Sequence, residues 1–313
     1  MYVHGFGSSG QSGTVSRLRT VFPNTKVIAP DLPVHPAEAQ ALLGRLCREE
    51  KPHLILGTSM GGMYTEQLYG FDRICMNPAL CIADTMSSHG LTGIQQFQNP
   101  RQDGVQEFYV DKAMVKEYRT ASEQRFSGLA DEELATNERG RVFGLFGDKD
   151  DVVDTYDLFR EHYPQAIHFH GGHRMDDRSF MHSVVPVIRW IDDRQEGRQR
   201  PIVYIGTECL ADAYDKPASS SQKAVRQLIE TYQVYFIADD PEQGRWAQWL
   251  EEYIGVPAWH HTIYTHRRDL LYGDYLVSPR KEGDTMATLI QFGSDTFKTW
   301  EDIIDYFALL GGQ

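Results

Sequence analysis

The sequence predicts an α/β protein of two parallel-sheet domains, and three observations carry that reading. Short apolar runs of strand length alternate with amphipathic stretches of helical period through the first two-thirds of the chain. A charged run, DDRQEGRQR at residues 192–200, interrupts the pattern, and a second alternation starts after it. At 313 residues the chain suits two ordinary domains better than one. The expected division is residues 1–195 and residues 196–313.

Taken in order, the first domain offers candidate strands at residues 2–3, 26–29, 53–56, 73–76, 141–146 and 166–169. Helical stretches at residues 36–50 and 60–69 lie between them, and a last helix closes at Trp190 and Ile191. His4 stands three residues from the start, so the first strand is expected to be very short. Residues 83–134 are polar, long and helical in period, and read as a lid or cap. In the second domain PIVYIGTE, VYFIADDP, DYLVSP and TLIQFG read as strands. Residues 222–231, 246–253 and 300–310 read as helices.

Composition excludes several function classes. Hydrophobic residues at 41% and charged residues at 24% rule out a structureless chain. With 31 basic and 44 acidic residues the formal net charge is −13, which repels phosphate backbones and anionic membranes. No apolar run reaches the roughly 18 to 20 residues of a membrane helix. The opening MYVHGFGSSG has neither the charged nor the apolar region of a secretory leader. Cys47, Cys75, Cys81 and Cys209 are too scattered for a disulfide scaffold or a zinc site. These points lead to the expectation of a cytoplasmic protein with reduced thiols and no nucleic-acid or membrane partner.

The strongest chemical signal is HLILGTSMGG, residues 53–62, which places G-x-S-x-G between an apolar strand and a helical stretch. A sharp strand-to-helix turn forces the central residue into a strained conformation, and small residues two positions away on each side let the neighbouring backbone pass. Ser59 is therefore expected above the carboxyl edge of a sheet, at a helix N-terminus that favours negative charge.

A serine hydroxyl needs a base, and the base needs an acid to orient it. RVFGLFGDKDDVVD supplies a strand followed by acids, of which Asp150 fits best; Asp148 and Asp151 are its neighbours and rivals. AIHFHGGHRM offers His168, His170 and His173, and the glycine pair before His173 favours it as the base. The i, i+2, i+5 spacing of these histidines lacks matching acids, so neither a metal nor a cofactor is expected. Acyl transfer also needs donors for an oxyanion. The amides of Met60, after the serine, and of Phe6, in the HGFG turn, are the candidates.

With YVHGFGSSGQSGT, APDLPVHPAEA, GTSMGGMYTEQL, MNPAL, GDKDDVVD and GGHRM in that order, the first 195 residues resemble the YqiA/YcfP-like branch of the α/β-hydrolase superfamily. The resemblance implies a small ester or thioester hydrolase, with its serine, aspartate and histidine falling on Ser59, Asp150 and His173.

The remaining residues resemble a smaller, Rossmann-like domain of the haloacid dehalogenase (HAD) fold, in particular its 5′-nucleotidase-type members. In that resemblance Gly206 stands at the nucleophile position, Glu208 at the acid/base position, Ala238 at a phosphate-binding position, and Ser278 with Pro279 where acids would hold a metal. The basic position falls on Arg267 or Arg268. Glycine cannot form an aspartyl-phosphate, so the implied domain has lost phosphoryl transfer and is structural or regulatory. Trp246, Trp249, Trp259 and Trp300 read mostly as core; a homo-oligomer through some of them stays open. The function expected overall is cleavage of a small acylated substrate. A non-catalytic scaffold built from two degraded enzyme folds is the alternative.

Overall fold

The apolar runs become the parallel strands of two sheets. The computed structural model describes residues 1–211, 216–239, 244–281, 283 and 285–311. They divide into two units, Met1–Val187 and Ile188–Gln313.

The first unit runs β1 (Tyr2–Val3), α1 (Gly13–Val21), α2 (Pro36–Glu50), β2 (Leu54–Thr58), α3 (Met60–Glu66), β3 (Asp72–Met76) and α4 (Ile82–Ser88). An antiparallel pair, β4 (Gly93–Gln96) and β5 (Glu107–Val110), precedes α5 (Lys112–Glu123) and α6 (Glu132–Arg139). Then come β6 (Val142–Gly147), α7 (Tyr156–Arg160), β7 (Ala166–Phe169) and α8 (Asp177–Ser179). A wide turn over Phe180–Val184 joins α8 to α9 (Val185–Glu196).

Its main sheet has the order β1-β2-β3-β6-β7, and every pairing is parallel. Ile55, Ile74 and Leu145 on the central strands are fully buried, as expected of a parallel sheet covered on both faces. Parallel order brings the carboxyl ends of β2, β3, β6 and β7 to one edge, where the loops carrying chemistry are grouped.

The second unit contains β8 (Ile202–Gly206), α10 (Ser219–Thr231), β9 (Gln233–Ala238), α11 (Arg245–Tyr253), β10 (Thr262–Tyr264), β11 (Tyr275–Ser278), β12 (Thr288–Gln291) and α12 (Trp300–Gly311). Its sheet is also parallel, in the order β10-β9-β8-β11-β12. The strand order reverses direction between β8 and β11, which makes the ends of those strands the natural ligand crevice. Trp246, Trp249 and Trp300 are buried in its core, while Trp259 is only partly covered.

Several elements differ from expectation, each for a local reason. Residues 26–29 are not a strand: one bond from the Tyr2 amide to the Ile28 carbonyl (2.7 Å) is followed by Pro30, which has no donor to continue a ladder. The helix expected over 60–69 stops at Glu66, and Gly70 at φ 86° turns the chain away. The segment 83–134 is not helical throughout. Gly90, Gly93 and Gly104, all at positive φ, break it and admit the β4–β5 hairpin. The charged run at 192–200 is not all linker, because α9 continues to Glu196 before Gly197 (φ 63°) ends it. β10 has no counterpart in the expected strands. Residues 240–241 of the expected VYFIADDP strand lie outside the described residues.

Candidate active site

Ser59 sits between β2 and α3 at φ 56°, ψ −119°, a conformation that costs a non-glycine residue of order 1–3 kcal/mol. Backbone hydrogen bonds to the end of β3 and the turn after it hold it there. Its amide donates to the Met76 carbonyl (2.9 Å), and its carbonyl accepts from the Ala79 amide (3.0 Å). Close passage of the chain explains the flanking glycines. A Cβ on Gly57 would collide with the Thr65 hydroxyl and the Gly61 carbonyl, and one on Gly61 with the Val3 carbonyl.

A line of hydrogen bonds leads away from this serine. His173 Nε2 lies 3.1 Å from Ser59 Oγ, and His173 Nδ1 lies 2.8 Å from Asp150 Oδ2. A carboxylate only accepts, so Nδ1 carries the proton and Nε2 is left to accept from the hydroxyl. The other oxygen of Asp150 accepts from the amides of Val152 (2.8 Å) and Val153 (3.0 Å). The Asp150 side chain is 4% exposed and that of His173 17%. Burial pushes the Asp150 carboxyl up, but His173 and the two amides outweigh it and hold its pKa below the ordinary carboxylate value.

The rival residues go elsewhere. Asp148 pairs with exposed His170 (Oδ2 to Nδ1, 2.9 Å) and accepts from the Gly171 amide (2.9 Å). Asp151 points to solvent, and His168 stacks on Tyr156 at 3.9 Å.

Met60 opens α3, so its amide belongs to the first helical turn, where N–H groups have no intrahelical acceptor. Phe6 lies in a turn closed by a bond from the Ser8 amide to the Gly5 carbonyl (3.2 Å). This turn abuts the serine: a Cβ on Gly5 would stand 3.3 Å from Ser59 Cβ. Buried His4 anchors it, donating from Nδ1 to the Gly5 carbonyl (2.8 Å) and accepting at Nε2 from the Leu32 amide (2.9 Å). Burial depresses the His4 pKa to about 4, so the ring is neutral at ordinary pH. The Phe6 ring packs edge-on against Phe108 (5.2 Å) and Tyr118 (6.0 Å), and Phe108 meets Phe97 at 4.6 Å. The chain between β4 and β5 is tied to the turn by bonds from the Gln98 amide to the Gly7 carbonyl (2.7 Å) and from Asn99 Nδ2 to Ser8 Oγ (3.0 Å). Arg174 Nη2 donates to Gln98 Oε1 at 3.0 Å, bringing the same segment beside His173.

One residue of this edge escapes the sequence reading. Asn77, the residue after β3, is 2% exposed and has a φ of 42°. Its side chain joins the last residue of β6, Gly147, to the loop after β7. The MNPAL block contains it, but a lone asparagine before proline reads as a turn former.

In the second unit the crevice between β8 and β11 is filled by the protein's own ions. Arg268, 2% exposed, donates to both oxygens of Glu208 (2.8 and 3.1 Å) and to Ser278 Oγ (3.0 Å), with Asp239 3.3 Å away. Arg280 pairs with Asp239 from the rim. The Glu208 carboxylate occupies the space beside Gly206, where a Cβ would meet its oxygen at 2.7 Å. Arg267 points outward and pairs with Asp269. Among the described residues no three His, Cys, Asp or Glu side chains gather as a metal site, and no helix is long and apolar enough to cross a membrane.

Comparison with known proteins adds three findings. Residues 1–184 match UPF0227, an uncharacterised protein family. A stretch of 128 residues is 29% identical to a putative 5′(3′)-deoxyribonucleotidase of Vibrio phage KVP40, covering 38% of this chain and 71% of the phage protein. This distant similarity lies in the C-terminal segment. Among solved structures, a monoacylglycerol lipase of Paleococcus ferrophilus is similar at 15% identity and TM-score 0.40, over 61% of this chain and 92% of the lipase. Est1E of Butyrivibrio proteoclasticus is similar at 16% identity and TM-score 0.40, over 63% and 86%.

Proposed function

We propose that this chain, which belongs to the uncharacterised family UPF0227, is a serine hydrolase of small carboxylic esters or thioesters. The observation that carries the reading is the unbroken hydrogen-bond line from Ser59 through His173 to Asp150, starting on a strained elbow. Ser59 Oγ attacks the acyl carbonyl while His173 Nε2 takes its proton. Asp150 holds the ring with Nδ1 protonated and stabilises the imidazolium that forms. The amides of Met60 and Phe6 receive the oxyanion. His173 then returns the proton to the leaving group, and it activates the water that frees the acid from the acyl-enzyme. The aromatic wall of Phe6, Phe97 and Phe108 favours an apolar acyl group.

In this reading residues 1–195 are the catalytic domain. Residues 196–313 are a nucleotidase-like domain whose crevice the Arg268–Glu208 pair has closed to phosphoryl transfer, leaving it structural or regulatory.

Fluorophosphonate labelling read by peptide mass tests the proposal without knowledge of the substrate. The expected result is one adduct, on Ser59, absent from Ser59→Ala. Asp150→Asn should slow labelling by about 10³–10⁴-fold, whereas Asp148→Asn should change it only a few-fold. A folded protein that takes no label would defeat the proposal, and the reverse order of the two aspartates would reassign the acid.

A further inference from the structure

We infer that Asn77 is the positioning residue of this site, the side chain that fixes the His173 and Asp150 loops against each other and against Ser59; the inference rests on the serine-hydrolase reading above. It touches none of the reacting atoms. Its Nδ2 donates to the carbonyls of Gly172 (3.1 Å) and of His173 itself (3.1 Å). Its Oδ1 accepts from the amide of Gly147 (2.8 Å), three residues before Asp150. Its own amide donates to the Leu145 carbonyl on β6 (2.8 Å).

The turn that follows extends the same clamp. Met76 and Ala79 hold the two backbone polar groups of Ser59, and the Pro78 carbonyl accepts from the Thr155 hydroxyl (2.7 Å), just beyond the Asp150 loop. Gly62 on α3 permits the approach, since a Cβ there would meet Pro78 Cα at 2.8 Å. One five-residue turn, MNPAL, therefore bonds to the segments carrying serine, acid and base. Asparagine is suited to the post because it tolerates positive φ and offers donor and acceptor on one short amide.

Burial makes these bonds consequential. Without the amide, the carbonyls of Gly172 and His173 lose a partner at the point where the loop must return toward Ser59. A displacement of about 1 Å between base and nucleophile is worth about 10²-fold in rate.

The test uses the full chain and two substitutions compatible with φ 42°. Asn77→Asp keeps the acceptor for Gly147 but has no donor for the histidine loop, and Asn77→Gly removes the side chain without straining the backbone. Both are compared with wild type for fluorophosphonate labelling rate and for turnover of a short-chain aryl ester. Low-field proton NMR reports the His173 Nδ1 proton.

The expected result for whichever variant melts as a folded protein is a 10- to 100-fold fall in kcat and labelling rate, with KM within about two-fold. The low-field proton should shift or be lost. A folded variant that labels at the wild-type rate with that proton unchanged would overturn the inference while leaving the hydrolase reading intact. Absence of label on wild-type Ser59 would remove both.

Discussion

His4 shows how one side chain can couple the site to pH. Its ring is buried, its two nitrogens are committed to Gly5 and Leu32, and desolvation lowers its pKa from 6.5 to about 4 despite the bond to Gly5, which acts the other way. In the unfolded chain the ring takes up a proton below about pH 6.5, whereas in the folded protein it does so only near pH 4. The stability it contributes is therefore complete above pH 6.5 and falls as pH drops toward 4, by up to about 3 kcal/mol. Urea unfolding at pH 7.5, 6 and 4.5 should show this slope in wild type and a flatter one in His4→Gln. Equal slopes would mean that another group carries it. Asp150 acts in a lower window: with its pKa depressed, its contribution is present above the usual carboxylate value and lost only as pH falls below it.

At the scale of elements, glycines have opposite meanings on two helices. Gly61 in α3 faces β1, where an added methyl would strike the carbonyls of Val3 and His4. Gly44 in α2 has room for one, with Arg48 Nη1 at an ordinary 3.5 Å. Gly61→Ala is expected to cost about 1–3 kcal/mol through overpacking and to lower the melting temperature by several degrees. Gly44→Ala should raise stability by up to about 1 kcal/mol through helix propensity. Calorimetry of the two variants checks both signs, and a stabilising Gly61→Ala would contradict the packing described for β1 and α3. Elements with strong period and local punctuation, such as α2 and β2, are legible in the sequence because their determinants lie within a few residues. The β4–β5 hairpin is not, because its strands pair across ten residues of chain and Phe108 and Val110 reach a core built from distant elements.

For the molecule as a whole, both sheets gather interacting polar side chains at the carboxyl ends of their parallel strands, with different outcomes. In the second unit the ion cluster stands where a ligand would enter. Removing Arg268 would leave Glu208 without its main counter-charge and Asp239 with Arg280 alone. Arg268→Met should cost about 3–5 kcal/mol, whereas Arg267→Met, which breaks only an exposed pair with Asp269, should leave stability close to that of wild type. Denaturant titration monitored by tryptophan fluorescence, with Trp246, Trp249 and Trp300 buried in that unit, reads the difference directly. Equal losses for the two neighbours would show that the cluster is not holding the crevice closed.

By itself the sequence determined the alternation of strands and helices, the elbow and the family order of its loops. All of these depend on residues a few positions apart. For the candidate acid and base it offered Asp148, Asp150 and Asp151 with His168, His170 and His173, and favoured Asp150 and His173; in the structure Asp148 pairs with His170 and Asp150 with His173. Which pair lies against Ser59 was decided only by the tertiary structure, through the path of the glycine loop 171–172 and the amide of Asn77, 96 residues from His173. The same holds for Arg268, which meets Glu208 from 60 residues away. Hydrogen bonds and ion pairs have a reach of about 3 Å in space and none along the chain, so their partners become readable only when the sheets bring them together.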